Sequence, residues 1–166
     1  MAVNQCDFNV LRRIREGKSG GKCAILGDTI YTFDGGSKKA FKEILKFDSV
    51  ETFDVNGNPD HKLDLQMRME SKFKEKYDIV IDAGTLFCCF DISSVWKNIL
   101  FMLKETGEVY HQASLTGFFG RSYINFSPSL FQEFYEANGF EVKEMGYLPR
   151  RIPDGDYRQI PISTDY

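Results

Sequence analysis

What the chain lacks narrows the field first. No apolar run approaches the about 20 residues that cross a bilayer, so no membrane span is expected. There are only two histidines, and the four cysteines (Cys6, Cys23, Cys88 and Cys89) lack the paired spacing of a zinc site, so no metal is expected. Neighbouring cysteines rarely close a relaxed disulfide, and Cys88-Cys89 reads as reduced thiols. A net charge of −3 and a pI near 5.5 give no general pull toward nucleic acid. The basic groups Arg12/Arg13/Arg15/Lys18/Lys22 and Arg150/Arg151 read as solvated surface. The opening "MAVNQCDFNVLRRIR" has charges where a secretory signal has its apolar core, so a cytoplasmic protein is expected.

A phosphate-cradling loop is also missing. Gly17-Lys18-Ser19 has the right ending, but Arg12 stands where the motif needs its first glycine. The segment before it is helical in pattern, and the apolar run "CAIL" follows the glycines instead of preceding them. Gly17 therefore reads as a helix stop, and Ser19-Gly20-Gly21 as the turn into a strand.

What is present is an aromatic-rich globular chain of 166 residues, 42% hydrophobic, which fits one domain over residues 1–166. Apolar runs alternate with helical patterns, which predicts an α/β fold: a mostly parallel sheet of six or seven strands with helices on both faces. A helix is predicted near 7–16, strands at "KCAILG" and "SVETFDVNG", and a helix at "SKKAFKEILKF" capped by Ser37. "HKLDLQ" reads as a weak third strand, "MRMESKF" as a helix or helical turn and "YDIVIDAGT" as the clearest strand of all. "ISSVWKNILFMLKETGE" reads as a helix closed by Gly107, followed by the strand "EVYHQASL". Ser127, Pro128 and Gly139 frame a last helix, with strands at "FEVKEMGYL" and "YRQIPI" after it.

Ligands of open parallel sheets bind outside the C-terminal strand ends. Those ends carry Gly27-Asp28, Asp54, Asp64 and Asp82–Thr85. Gly27 lets a ligand approach the backbone, and Asp54 is placed to accept both hydroxyls of a ribose. Only the first glycine of G-x-G-x-x-G is present, which weighs against a nicotinamide-dependent oxidoreductase. His111, near the end of the fifth strand, is a candidate general base, with Tyr123 and Arg121 in the loop beyond. The aromatic set Phe118, Phe119, Tyr123 and Phe126 reads as a loop over a pocket or as core closure. His61, after "NGNPD", is expected to be exposed.

In order, "CAILG", "VETFDVNG", "LDLQ", "YDIVIDAGTL", "TGEVYHQAS" and "FFGRSYINFSPSLFQEFYEANGFEVKEM" resemble a class I S-adenosylmethionine-dependent methyltransferase over roughly residues 22–147. The resemblance implies a Rossmann-like three-layer sandwich that binds S-adenosylmethionine. It sets Gly27 and Asp28 at the methionine part, Asp54 at the ribose, Asp64-Leu65 at the adenine, and Asp82-Ala83-Gly84 as the floor near the methyl. It further implies methyl transfer to an oxygen or nitrogen of a small metabolite or glycan precursor. The chain departs from the family at "GTLFCCF", where related sequences carry a polar or charged pair, and at "GRS" for "GHG". Those departures support the alternative, a catalytically inactive methyltransferase-like binding module.

Overall fold

A computed structural model describes residues 2–116 and 120–147, and the backbone of 158–159. The predicted turn aromatics Phe118 and Phe119, the basic pair Arg150/Arg151 and most of "YRQIPI" lie outside the described residues. The chain divides into two compact units, residues 1–125 and 126–166.

The first unit opens with β1 (Ala2–Val3) and α1 (Gln5–Ile14). The helix begins two residues before the predicted start because Asn4 caps it: the Asn4 side chain accepts from Cys6 and Asp7, and Asp7 reaches back to the Asn4 N–H. Then come β2 (Lys22–Leu26), β3 (Ile30–Tyr31) and α2 (Lys38–Ile44), the last capped by Ser37 as expected. After these run β4 (Ser49–Asp54), β5 (His61–Lys62), β6 (Tyr77–Asp82), α3 (Ile92–Met102) and β7 (Leu103–His111). The predicted turn at "MRMESKF" is a 3-10 turn at Ser71–Phe73.

The main sheet is parallel, in the order β5-β4-β2-β6-β7. Its inner strands are apolar on both sides, as a sheet covered on both faces requires. Cys23, Ile25, Ile79 and Ile81 alternate onto the face packed by Phe8, Leu11, Phe41 and Leu45 of α1 and the α2 region. Phe41 is fully buried amid the rings of Phe8, Tyr31, Phe33 and Phe47. The opposite face is covered by α3, whose Val95, Trp96, Ile99 and Met102 are buried.

Two boundaries differ from expectation. Helix α3 stops at Met102 and not at Gly107, because Glu75 and Lys76 donate their N–H groups to the Phe101 and Met102 carbonyls. Those bonds satisfy the helix end and lead the chain directly into β7. Leu103 pairs with Tyr77, residues 104–107 bulge out, and Glu108 resumes opposite Ile79. The glycine turn before β2 is structural, as read. Gly20 donates to the Lys46 carbonyl, Gly21 to Asp48 and Lys22 to Asp78, so carboxylates occupy donors that a phosphate would need.

In the second unit, α4 (Pro128–Ala137) begins at Pro128 and stops before Gly139, as predicted, but the Ser127 side chain does not cap it: its hydroxyl bonds the Ser129 hydroxyl instead. The expected sixth strand is short: only β8 (Gly146–Tyr147) pairs, and it pairs antiparallel with β9 (Arg158–Gln159) in a separate two-stranded sheet. Glu141, Lys143 and Glu144 are exposed, so that segment lacks the buried face that fixes a strand into a sheet. Among the described residues the main sheet therefore has five strands, not six or seven.

Candidate functional site

Register builds the site. One row across the sheet aligns His61, Phe53, Leu26, Asp82 and His111, residues 50 apart in sequence at its two ends. The next step along each strand brings Asp54, Gly27 and Ala83 to the carboxyl edge. Neighbours in a parallel sheet point to the same face, which is why Asp82 and His111 meet.

Asp82 is fully buried, and both of its oxygens have partners. Its Oδ1 accepts from the N–H groups of Gly84 (3.2 Å), Thr85 (2.6 Å) and Leu86 (3.1 Å). Its Oδ2 lies 2.9 Å from His111 Nδ1. An ionised carboxylate only accepts, so Nδ1 carries the proton and the lone pair of the neutral ring sits on Nε2. Thr85 adds a second tie, its hydroxyl donating to the Leu26 carbonyl at 2.6 Å. Asp82 thus shapes the Ala83–Leu86 turn and orients His111 together.

Asp54 clamps two loops. Its Oδ2 accepts from the Asp28 N–H at 2.7 Å and its Oδ1 from the Asn56 N–H at 2.9 Å. Asp28 reciprocates by accepting from the Asn58 N–H at 2.9 Å, so its carboxylate turns toward the 55–58 turn. Each Asp54 oxygen keeps one further lone pair for a hydroxyl. Gly27 (φ 105°) and Gly84 (φ 98°) hold left-handed conformations that glycine alone adopts cheaply, and they border this space without side chains.

Asp64 and Leu65 lie in the turn after β5. Asp64 Oδ1 accepts from the Gln66 backbone and side chain, and Oδ2 makes no protein hydrogen bond among the described residues. Leu65 is buried, and its carbonyl is held by Asn98 Nδ2 at 2.8 Å. Gln66 and Asn98 escaped the sequence reading. Gln66 Oε1 accepts from the Phe90 and Asp91 N–H groups, fixing this turn to the entry of α3. Amides carry no motif of their own, so only the fold reveals that role.

The other candidates gather around residues 82–90. The Tyr123 N–H donates to the Phe87 carbonyl at 2.9 Å. Its exposed ring meets exposed Phe90 edge-on at 6.2 Å. Arg121 is exposed and near enough to Cys88 to oppose the rise that burial gives that thiol. In "LFCC", Leu86–Cys88 form a 3-10 turn and Cys89 follows it, with Leu86, Phe87 and Cys89 buried as filling. All four cysteines are free thiols. His61 is half-buried instead of exposed: it stacks on Phe53 at 4.7 Å and bonds Glu51 at 2.6 Å. No helix among the described residues is long and apolar enough to cross a membrane.

No protein-family model matches the chain, and no curated protein matches it. Among solved structures, it is similar to a protein of Methanococcus maripaludis provisionally assigned as an S-adenosyl-L-methionine-dependent methyltransferase. The TM-score is 0.53 and the identity 15%, over 97% of this chain and 86% of that one. The five-stranded parallel sheet, the helices on both of its faces and this likeness together give the chain a Rossmann-like α/β fold.

Proposed function

We propose that this chain is an S-adenosylmethionine-dependent methyltransferase acting on an oxygen or nitrogen of a small metabolite or glycan precursor. The observation that carries the reading is the set of residues at the carboxyl edge: Asp54 beside Gly27, Asp64 with an open oxygen, and the Asp82–His111 pair. The fold likeness supports it.

The residues fit the cofactor. The spare lone pairs of Asp54 suit a ribose diol. Asp64 Oδ2 suits an amino group, beside the apolar Leu65. The acidic edge suits a sulfonium cation, where a polyphosphate would be repelled. When bound, S-adenosylmethionine supplies an electrophilic methyl group. The chain's own work is to align the acceptor, exclude water and take its proton. His111 Nε2 is the proton acceptor in this reading, and Asp82 stabilises the imidazolium that forms. Tyr123 and Arg121, at the rim, orient the acceptor.

Isothermal titration with S-adenosylmethionine and S-adenosylhomocysteine, with NAD and ATP as controls, tests the reading. Micromolar binding of the first pair, weakened at least about tenfold in Asp54→Ala, is expected. Absence of binding to that pair, or preference for a control, overturns it.

A further inference from the structure

At the other end of the sheet, near the strand N-termini, the C-terminal ends of α1 and α2 lie side by side. A groove of about 460 Å³ opens there between the two helix ends. Four cations line it, Arg12, Arg13, Arg15 and Lys46, against one carboxylate, Glu16. In a chain of net charge −3 that is a marked local excess of positive charge.

Helix C-termini attract cations for structural reasons, and Arg15 answers that need. It is 9% exposed, with Nε donating to the Leu45 carbonyl and Nη2 to the Gly20 carbonyl, and its guanidinium lies over the Phe47 ring at 4.3 Å. Its Nη1 makes no hydrogen bond among the described residues. Arg12 is exposed and makes no ion pair among them. Local structure does not require these remaining donors.

Lys46 is the most telling. It follows α2 in the left-handed conformation, φ 55°, with Phe47 N–H returning to the Lys42 carbonyl at 3.0 Å. That is the position where helices place glycine, because a side chain there is strained. Its backbone carbonyl does the structural work, accepting from Gly20 N–H at 2.7 Å, and glycine would do that equally well. The lysine side chain is carried at a conformational cost, and it lines the groove.

We infer that this groove binds a phosphate-bearing small ligand. Guanidinium forks match phosphate oxygens in pairs, and the ammonium adds a point charge. Half-exposed Ile44 gives the ligand's organic part an apolar contact. No aromatic side chain lines the groove among the described residues, so it offers no stacking platform for a nucleic-acid strand.

The test titrates the full chain with inorganic pyrophosphate at low salt, for wild type, Lys46→Gly and Arg12→Ala, with a thermal melt of each. Saturable binding is expected, about tenfold weaker in each variant and weakened again by about 0.15 M salt. Lys46→Gly should melt no lower than wild type, because glycine relieves the strained turn. Lack of saturation, or undiminished binding in Lys46→Gly, overturns the inference. Tighter binding of a single-stranded oligonucleotide than of pyrophosphate overturns it too, in favour of a nucleic-acid surface.

Discussion

Removing the Asp82 carboxylate tests whether one buried side chain both builds the candidate site and sets its proton chemistry. In Asp82→Ala, three backbone N–H groups and His111 Nδ1 lose their acceptor in a fully buried place. An orphaned buried donor costs about 1–3 kcal/mol, and partial rearrangement and entering water reduce the sum. The loss expected is about 3–5 kcal/mol, toward the low end of the sum for four orphaned donors. Against a total of about 5–15 kcal/mol, that is a large shift of the urea midpoint. Asp82→Asn separates the two roles. Its amide oxygen can keep the three N–H bonds, so the loss is only about 1–2 kcal/mol. Its NH₂ group, however, faces His111 Nδ1 as a donor and forces the proton onto Nε2. With only two histidines in the chain, nitrogen-15 spectra at about pH 8.5, where an ordinary imidazole is neutral, can assign the tautomer. Wild type should show Nδ1–H and Asp82→Asn Nε2–H. A wild-type Nε2–H tautomer, or a loss below about 1 kcal/mol in Asp82→Ala, would refute the reasoning.

Two further outcomes follow from the same geometry. Glu51 accepts from Lys76, His61 and Tyr77, and although burial works against its charge these bonds hold its pKa down from the usual 4.5 to about 2. A depressed folded-state pKa gives stability that is present above the unfolded value and lost as pH falls through the folded one. The urea midpoint should therefore drop between about pH 4.5 and pH 2, and Glu51→Gln should flatten that drop; an unchanged slope refutes the hub. In Gly57→Ala the new Cβ would stand 2.0 Å from Asp28 Oδ2 at φ 71°. Destabilisation of about 1–2 kcal/mol by denaturant titration is expected, together with weaker cofactor binding as the Asp28–Asp54 clamp is displaced. Wild-type values in both assays would show that the clamp yields at no cost.

The layered α/β architecture and the positions at the strand ends were legible in the order of residues alone. A short, β-branched apolar run such as Ile79–Ile81, ended by Gly84, reads as a strand covered on both faces. Short-range signals placed the ends of several elements: Ser37 before α2, Pro128 and Gly139 around α4, Gly27 and Gly84 after their strands. These are local choices of backbone and capping chemistry, so they are legible without the fold. Tertiary structure decided the rest. Whether α3 ran to Gly107 depended on N–H groups of Glu75 and Lys76, 26 residues earlier in the chain, reaching its last carbonyls. Whether Asp82 was a bare floor or a hub depended on His111 falling opposite it in register. Asp28 turned to Asn58, and His61 folded onto Phe53 and bonded Glu51, each through a partner that packing brought to it. A side chain's hydrogen-bond partner is set by what packing brings to it, and one chain read in order does not contain that information.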